Sequence, residues 1–201
     1  MIRVLVVHGV GLFRSALVAL LRTEKMFDVS SASGRTALRG PYGGPPHVYV
    51  ADIDCPASSA YIERATSTRD ELGCQPALLV LASAQKPGSL RKAFDAGALG
   101  YVDKDGEPGR LADAIRNVAR GERFIDESLA FDFLQAGKMP LTPRELSVLG
   151  LAAEGAPIEE IARSLHLSNG TIRNYLAAAI RKTGGRNRMD AVRISQGAGW
   201  L

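Results

Sequence analysis

Residues 158–182 read IEEIARSLHLSNGTIRNYLAAAIRK, and the spacing of their apolar positions decides how the second half of the chain is built. Ile158, Ile161, Ala162 and Leu165 recur at helical period and form one inward stripe. Ile172, Leu176 and Ile180 form another. His166-Leu167-Ser168 leaves room only for a tight turn, so the segment reads as a helix-turn-helix unit. The outward face of its second helix carries Asn169, Thr171, Arg173, Asn174 and Ala177: a guanidinium, amides, a hydroxyl and a small apolar group, all suited to base edges in a major groove. Ser168 and Thr171 set hydroxyls at a helix start, where free N–H groups meet a phosphate. Arg181, Lys182, Arg186 and Arg188 supply charge for a nucleic-acid backbone. A helical protein-interaction module without nucleic acid fits the same stripes and is the alternative from another class.

Working outward, residues 141–201 resolve into helices at about 143–153, 158–165, 169–183 and 188–197. Thr142-Pro143 followed by Glu145 is a helix start, with a hydroxyl cap and proline in the first turn. Charge supports a polyanion partner for this part. Residues 1–140 hold 17 Lys/Arg against 16 Asp/Glu, whereas residues 141–201 hold 8 against 5, so most of the net +4 lies in the last third.

Taken together, Leu141-Thr-Pro-Arg-Glu145, Gly155, Glu160-Ile-Ala162, Leu167-Ser168, Gly170-Thr171-Ile-Arg173, Lys182, Arg188 and Ala191 resemble the LuxR/NarL-type DNA-binding domain over its whole length. Thr171-Ile-Arg-Asn-Tyr175 and the Gly199-Trp200 ending are most similar to its DesR-like branch. The resemblance implies sequence-specific binding to double-stranded DNA as a homodimer. Arg173, Asn174 and Ala177 would face the bases, and the last helix, Arg188–Gln196, would form the dimer contact. Asn174 and Ala177 are uncharged where some relatives are basic, which leaves the operator open.

Before residue 121 the pattern changes. Short β-branched or apolar runs at Val4–Val7, Phe27–Ser31, Val48–Ala51, Leu78–Leu81 and Leu99–Val102 alternate with helical stretches. The first of these has Leu12, Ala16, Leu17, Leu20 and Leu21 as its clearest positions; the others carry Leu90, Ala93 and Phe94, then Leu111, Ala114, Ile115 and Val118. Such alternation predicts a doubly wound α/β domain with a five-stranded parallel sheet. The boundaries read as 1–120 for this domain, 121–140 for a linker with some amphipathic helix, and 141–201 for the all-α four-helix domain. Gly34 to Pro46 is rich in proline and glycine and predicts a short element followed by an irregular loop.

Asp52-Ile-Asp-Cys-Pro56 after the third strand, Ala96-Gly97-Ala98, and Lys104 after Gly100-Tyr101 resemble a two-component receiver, which is flavodoxin-like in fold. With the helical domain, the chain is similar to a NarL/FixJ-type response regulator. The resemblance makes Asp52 the phosphoacceptor-equivalent and pairs Lys104 with a phosphoryl group. Three positions depart from it. His8 and Gly9 stand where two Mg²⁺-holding acids are expected, and Ala82 stands where a hydroxyl is expected, with Ser83 one residue on. Mg²⁺ seeks carboxylate oxygens, and imidazole suits transition metals better. Asp52 and a backbone carbonyl near Asp54 are too few, so a degraded Mg²⁺ site, no cofactor and little or no phosphorylation are expected. Since the first and third strands of such a sheet adjoin, His8 or Lys104, or both, are expected to pair with Asp52 in place of the metal; a space-filling His8 is the alternative.

The expected function is a DNA-binding transcription regulator with a phosphorylation-independent receiver; the alternative is conventional phosphorylation at Asp52 by a sensor kinase. A small-molecule ligand or partner protein at the carboxyl edge of the sheet would then supply control. Other signals count for less. His8-Gly9-Val10-Gly11 lacks the third glycine of a dinucleotide loop, and Gly43-Gly44 reads as a turn. Two cysteines, Cys55 and Cys74, build no disulfide framework, which fits a reduced cytoplasm, and Cys55 reads as a small buried filler. No apolar run reaches membrane-spanning length, and no nucleophile–base–orienter set marks an enzyme.

Overall fold

Valine-rich strands buried on both faces need helices on either side, and the computed structural model supplies them. It describes residues 1–33, 45–58, 62, 76–137 and 139–201. Cys74, the Gly43-Gly44 turn and most of the segment from Gly34 to Pro46 lie outside these residues. In chain order the elements are β1 (Ile2–Val7), α1 (Gly11–Leu21), β2 (Phe27–Ala32), β3 (Val48–Asp52), β4 (Ala77–Ala82), α2 (Pro87–Asp95), β5 (Gly100–Asp103), α3 (Pro108–Ala119) and β6 (Phe124–Ile125). A 3₁₀ turn (Glu127–Leu129) and α4 (Ala130–Ala136) follow, then α5 (Pro143–Ala153), α6 (Ile158–Leu165), α7 (Asn169–Thr183) and α8 (Arg188–Gly197).

The strands pair in parallel in the order β2-β1-β3-β4-β5-β6. Val4 lies opposite Val29 and Val48, and Val50 opposite Leu79. Val4, Val6, Val50 and Leu79 are at most 1% exposed, and each contributes about 1.5–3 kcal/mol of apolar transfer free energy. They pack with Leu111, Ala114, Ile115 and Val118 of α3 and with Leu21 of α1.

Two features differ from the sequence reading. The sheet has a sixth strand inside the expected linker: the Phe124 N–H donates to Leu99 O and the Asp126 N–H to Tyr101 O, at 3.0 and 2.9 Å. Two paired residues are too few to leave a periodic signal, but they cover the open edge of β5. α1 also faces differently. Phe13, Leu17, Val18 and Leu21 pack inward, while Leu12 is 84% exposed and Ala16 and Leu20 also face outward. The sequence GLFRSALVALL is apolar around most of the helix, so periodicity gave the helix without its face.

The chain divides into two compact units, Met1–Ala84 with Ser89–Phe133, and Gln85–Gly88 with Leu134–Leu201. Within residues 141–201, α5 to α8 have the predicted ranges and bury Val148, Leu149, Ile161, Ile172, Leu176 and Val192 together. Thr142 and Glu145 form a reciprocal capping box, and Ser168 Oγ accepts from the Thr171 N–H at 3.1 Å. α6 ends at His166, whose left-handed backbone (φ 54°) lets the Leu167 N–H return to Ala162 O and makes the tight turn.

Gly100 sits where β5 passes closest to its neighbours: an added Cβ would lie 2.8 Å from Leu79 Cγ and 2.9 Å from Val118 Cγ1. Gly100→Ala therefore overpacks this layer and should destabilise the chain by about 1–3 kcal/mol in urea unfolding. An unchanged midpoint would mean that α3 gives way freely.

Candidate functional site

The parallel sheet brings the carboxyl ends of β1, β3, β4 and β5 to one edge, where His8, Asp52, Ser83 and Lys104 emerge. His8 and Asp52 are each 6% exposed. The Val10 N–H donates to His8 Nδ1 at 3.0 Å, and Val10 O lies 3.3 Å from the same nitrogen. Nε2 donates to Asp52 Oδ2 at 3.3 Å. Arg14 Nη1 donates to the His8 carbonyl at 2.6 Å, and the His8 ring leans on Phe13 with centroids 4.5 Å apart.

Lys104 carries the charge balance. Its backbone N–H donates to Ala82 O at 2.9 Å, and its ammonium lies 2.9 Å from Asp52 Oδ1 and 2.7 Å from Asp54 Oδ2. Burial opposes the charge on Lys104, but the hydrogen bonds and charges of Asp54 and Asp52 outweigh it and hold the ammonium above its ordinary range. Both His8 and Lys104 thus contact Asp52. Asp103 and Asp105, its sequence neighbours, supply neither of these contacts.

Asp54 enters through its side chain as well as its backbone. Its N–H donates to Asp52 Oδ1 at 2.8 Å, and its carboxylate accepts from Ser83 Oγ at 3.2 Å and Ser89 Oγ at 3.5 Å. Ala82 is fully buried and offers no hydroxyl. Ser83 lies one residue beyond the end of β4, where strand alternation no longer dictates direction, and its hydroxyl reaches the pocket. Sequence reasoning missed Ser89 and Arg14; the placement of Ser89 at the start of a helix on the carboxyl edge was the available signal. An added Cβ at Gly9 would lie 3.0 Å from Ala57 Cβ, so the chain is tight where an acid is expected. Cys55 is half-buried rather than a buried filler, and its Sγ accepts from the Gly9 N–H at 3.4 Å.

This donor set does not fit Mg²⁺. The His8 nitrogen facing Asp52 bears a proton, and the two carboxylates already share an ammonium. A dication placed between them would meet that ammonium at contact distance.

In the helical unit, the outward face of α7 presents Asn169, Arg173, Asn174, Ala177 and Arg181 to solvent, with Ser168 exposed and Thr171 half-buried at its start. Among the described residues the side chains of Arg173, Asn174 and Arg181 make no hydrogen bond or ion pair. The remaining cations differ. Lys182 Nζ donates to buried Glu145 at 2.8 Å and ties α7 to the start of α5. Arg188 was expected to supply backbone charge, but its Nη2 donates to Ala152 O and Ala156 O at 2.9 and 2.8 Å and satisfies one carbonyl in the last turn of α5 and one just beyond it. Arg186 is 84% exposed at its side chain and pairs with Asp190, which also takes Arg193; these bonds hold the Asp190 carboxyl well below the usual range.

Three comparisons bear on this arrangement. Residues 139–195 match the family model described as "Bacterial regulatory proteins, luxR family". The chain is 51% identical over 204 residues to the response regulator RamR of Streptomyces coelicolor, covering 100% of this chain and 98% of that protein. It is 33% identical over 203 residues to the transcriptional regulatory protein DesR of Bacillus subtilis, covering all of both. Among solved structures, the RcsB response regulator of Salmonella typhimurium superposes with a TM-score of 0.64 at 22% identity, over 98% of this chain and 100% of that one, a likeness of fold.

Burial pushes the Glu145 carboxyl up, but bonds from Lys182 and Thr142 outweigh it and hold it below its ordinary value of 4.5. A carboxyl lowered on folding stabilises the fold above its unfolded value, and that stabilisation is lost as pH falls through the folded one. The melting temperature of the wild type should therefore drop more steeply from about pH 5 to about pH 3 than that of Glu145→Gln. Parallel curves would remove Glu145 from the acid response.

Proposed function

The chain belongs to the LuxR-type family of DNA-binding transcriptional response regulators, and from that premise we propose that its receiver works without phosphorylation. The observation carrying this reading is the engagement of both Asp52 oxygens by protein donors, Oδ1 by Lys104 and Oδ2 by His8. Phosphoryl transfer to a carboxylate needs a free oxygen in line and a neutraliser of developing charge. Here His8 and the ammonium must be displaced from Asp52, and His8 and Gly9 stand where an acidic pair would gather a metal. The protein regulates and does not catalyse. Its setting is the cytoplasm, and among the described residues no helix is long and apolar enough to cross a membrane.

The output is sequence-specific binding to double-stranded DNA by a homodimer. Arg173 is suited to bidentate contact with guanine, Asn174 to adenine and Ala177 to a thymine methyl group. Ser168, Asn169 and Thr171 meet phosphates, with Arg181 and Arg186 as further cations and Lys182 able to turn one N–H outward. α8 is the dimer helix in this reading, and Met189, 70% exposed, is its apolar contact. A small molecule or partner protein at the carboxyl edge of the sheet takes the place of a sensor kinase.

The Ser83 hydroxyl favours a second reading, conventional phosphorylation at Asp52, because it reaches the pocket despite its shifted position. Intact mass after incubation with a small phosphodonor and Mg²⁺, with an Asp52→Ala control, separates the two. The wild type should gain no phosphoryl mass; a stoichiometric, Asp52-dependent gain would establish the second reading.

For the output, Arg173→Ala should cost about 1–3 kcal/mol on a duplex with two half-sites and relax preference at one base position. Arg181→Ala should weaken all duplexes alike and flatten the salt dependence. Equal losses on specific and random duplexes for Arg173→Ala would move base readout elsewhere.

A further inference from the structure

Asp54 gathers donors from three separate elements. Lys104 comes from the exit of β5, Ser83 from the exit of β4 and Ser89 from the first turn of α2, at 2.7, 3.2 and 3.5 Å from its carboxylate oxygens. An ammonium with two hydroxyls is a cradle for an oxyanion, and Ser89 is more than nine-tenths buried. Asp52 is separately served by His8, Lys104 and the Asp54 N–H. Between the two serines the chain passes through Gln85, a non-glycine residue with left-handed backbone (φ 66°). Such a conformation persists only where its surroundings over-determine it, and the serines that flank this stretch both donate to Asp54.

We propose that Asp54 is the receiver's resident anion: its carboxylate fills the cradle of Lys104, Ser83 and Ser89, holds the two serines in place, and keeps free oxyanions out. Asp54 is thus a positioning residue acting through Ser83 and Ser89. The inference rests on the reading that no phosphoryl group is needed to hold these serines, since a carboxylate of the chain already does so. Removing that carboxylate has two consequences. The two serines loosen, and the vacated donors become a site for a tetrahedral oxyanion.

The test compares wild type, Asp54→Asn, Asp54→Ala and Asp54→Ala/Lys104→Met in the full chain. Inorganic phosphate is the probe, sulfate checks for any tetrahedral oxyanion, and sodium chloride is matched for ionic strength. Amide hydrogen exchange at Ser83, Ala84, Ser89 and Leu90 should speed up about tenfold or more in both single variants, with α5 to α8 unaffected. Millimolar phosphate or sulfate should slow it again and raise the melting temperature in Asp54→Ala, leave wild type at its chloride value, and have no such effect in the double variant. Asp54→Asn keeps the shape and carries the exchange test should Asp54→Ala fail to fold. Unchanged exchange in Asp54→Asn, or phosphate stabilising wild type as much as Asp54→Ala, would overturn the proposal. Phosphoryl transfer to Asp52 is scored separately by mass. A gain there with the predicted exchange pattern would remove phosphorylation independence and leave Asp54 as the anchor of the two serines.

Discussion

The ammonium of Lys104, held between the carboxylates of Asp52 and Asp54, is the contact on which the carboxyl edge of the sheet depends. A cation this far from water is costly unless oxygens face it closely, and a carboxylate as buried as Asp52 needs donors in turn. The parallel topology satisfies both demands. It delivers β1, β3, β4 and β5 to the same edge, so residues separated by about fifty positions along the chain meet there. The orientation of the His8 ring follows from the same edge. A backbone N–H directs one ring nitrogen, and the other is left facing Asp52.

Much of this was legible in the residues. Four of the five longer strands appear as apolar runs because the middle of a sheet covered on both faces tolerates no polar alternation, whereas β2 at the edge alternates; caps at Thr142 and Ser168 mark the starts of two of the four C-terminal helices. What escaped has physical causes. β6 is two residues long, and the α1 sequence is apolar on too many sides to reveal its buried face. In the pocket, the proximity of His8 and Asp52 followed from strand adjacency, which is a matter of topology. The roles of Asp54, Ser83 and Ser89 depend on loop direction after the strands end, and no periodicity governs that.

The helical unit illustrates a different limit. Counting cations in the last third of the chain pointed to a polyanion, yet the count treats every cation alike. Arg188 satisfies carbonyl groups, Lys182 balances a buried glutamate, and Arg186 shares Asp190 with Arg193. Each of these side chains is held by the fold itself. Arg173 and Arg181 have no such partner among the described residues, although they belong to the same basic run. Geometry therefore divides the basic run into residues that build the helical unit and residues with no partner among the described ones.

The same distinction, applied to both units, argues for where the chemistry of this chain lies. In the sheet unit the charged groups of the edge answer one another: ammonium to two carboxylates, imidazole N–H to carboxylate, hydroxyls to carboxylate. A site closed in this way has little free energy to gain from one more ion, because any newcomer must first displace a partner that is already in place. On α7 the balance is reversed. A guanidinium and an amide stand side by side on a helix fixed by its own cap, with no hydrogen bond of their own among the described residues. Preorganised and unsatisfied donors favour an external partner, whereas preorganised and satisfied ones favour a fixed conformation. The sheet edge is thus neutralised from within, while the unsatisfied donors stand on α7.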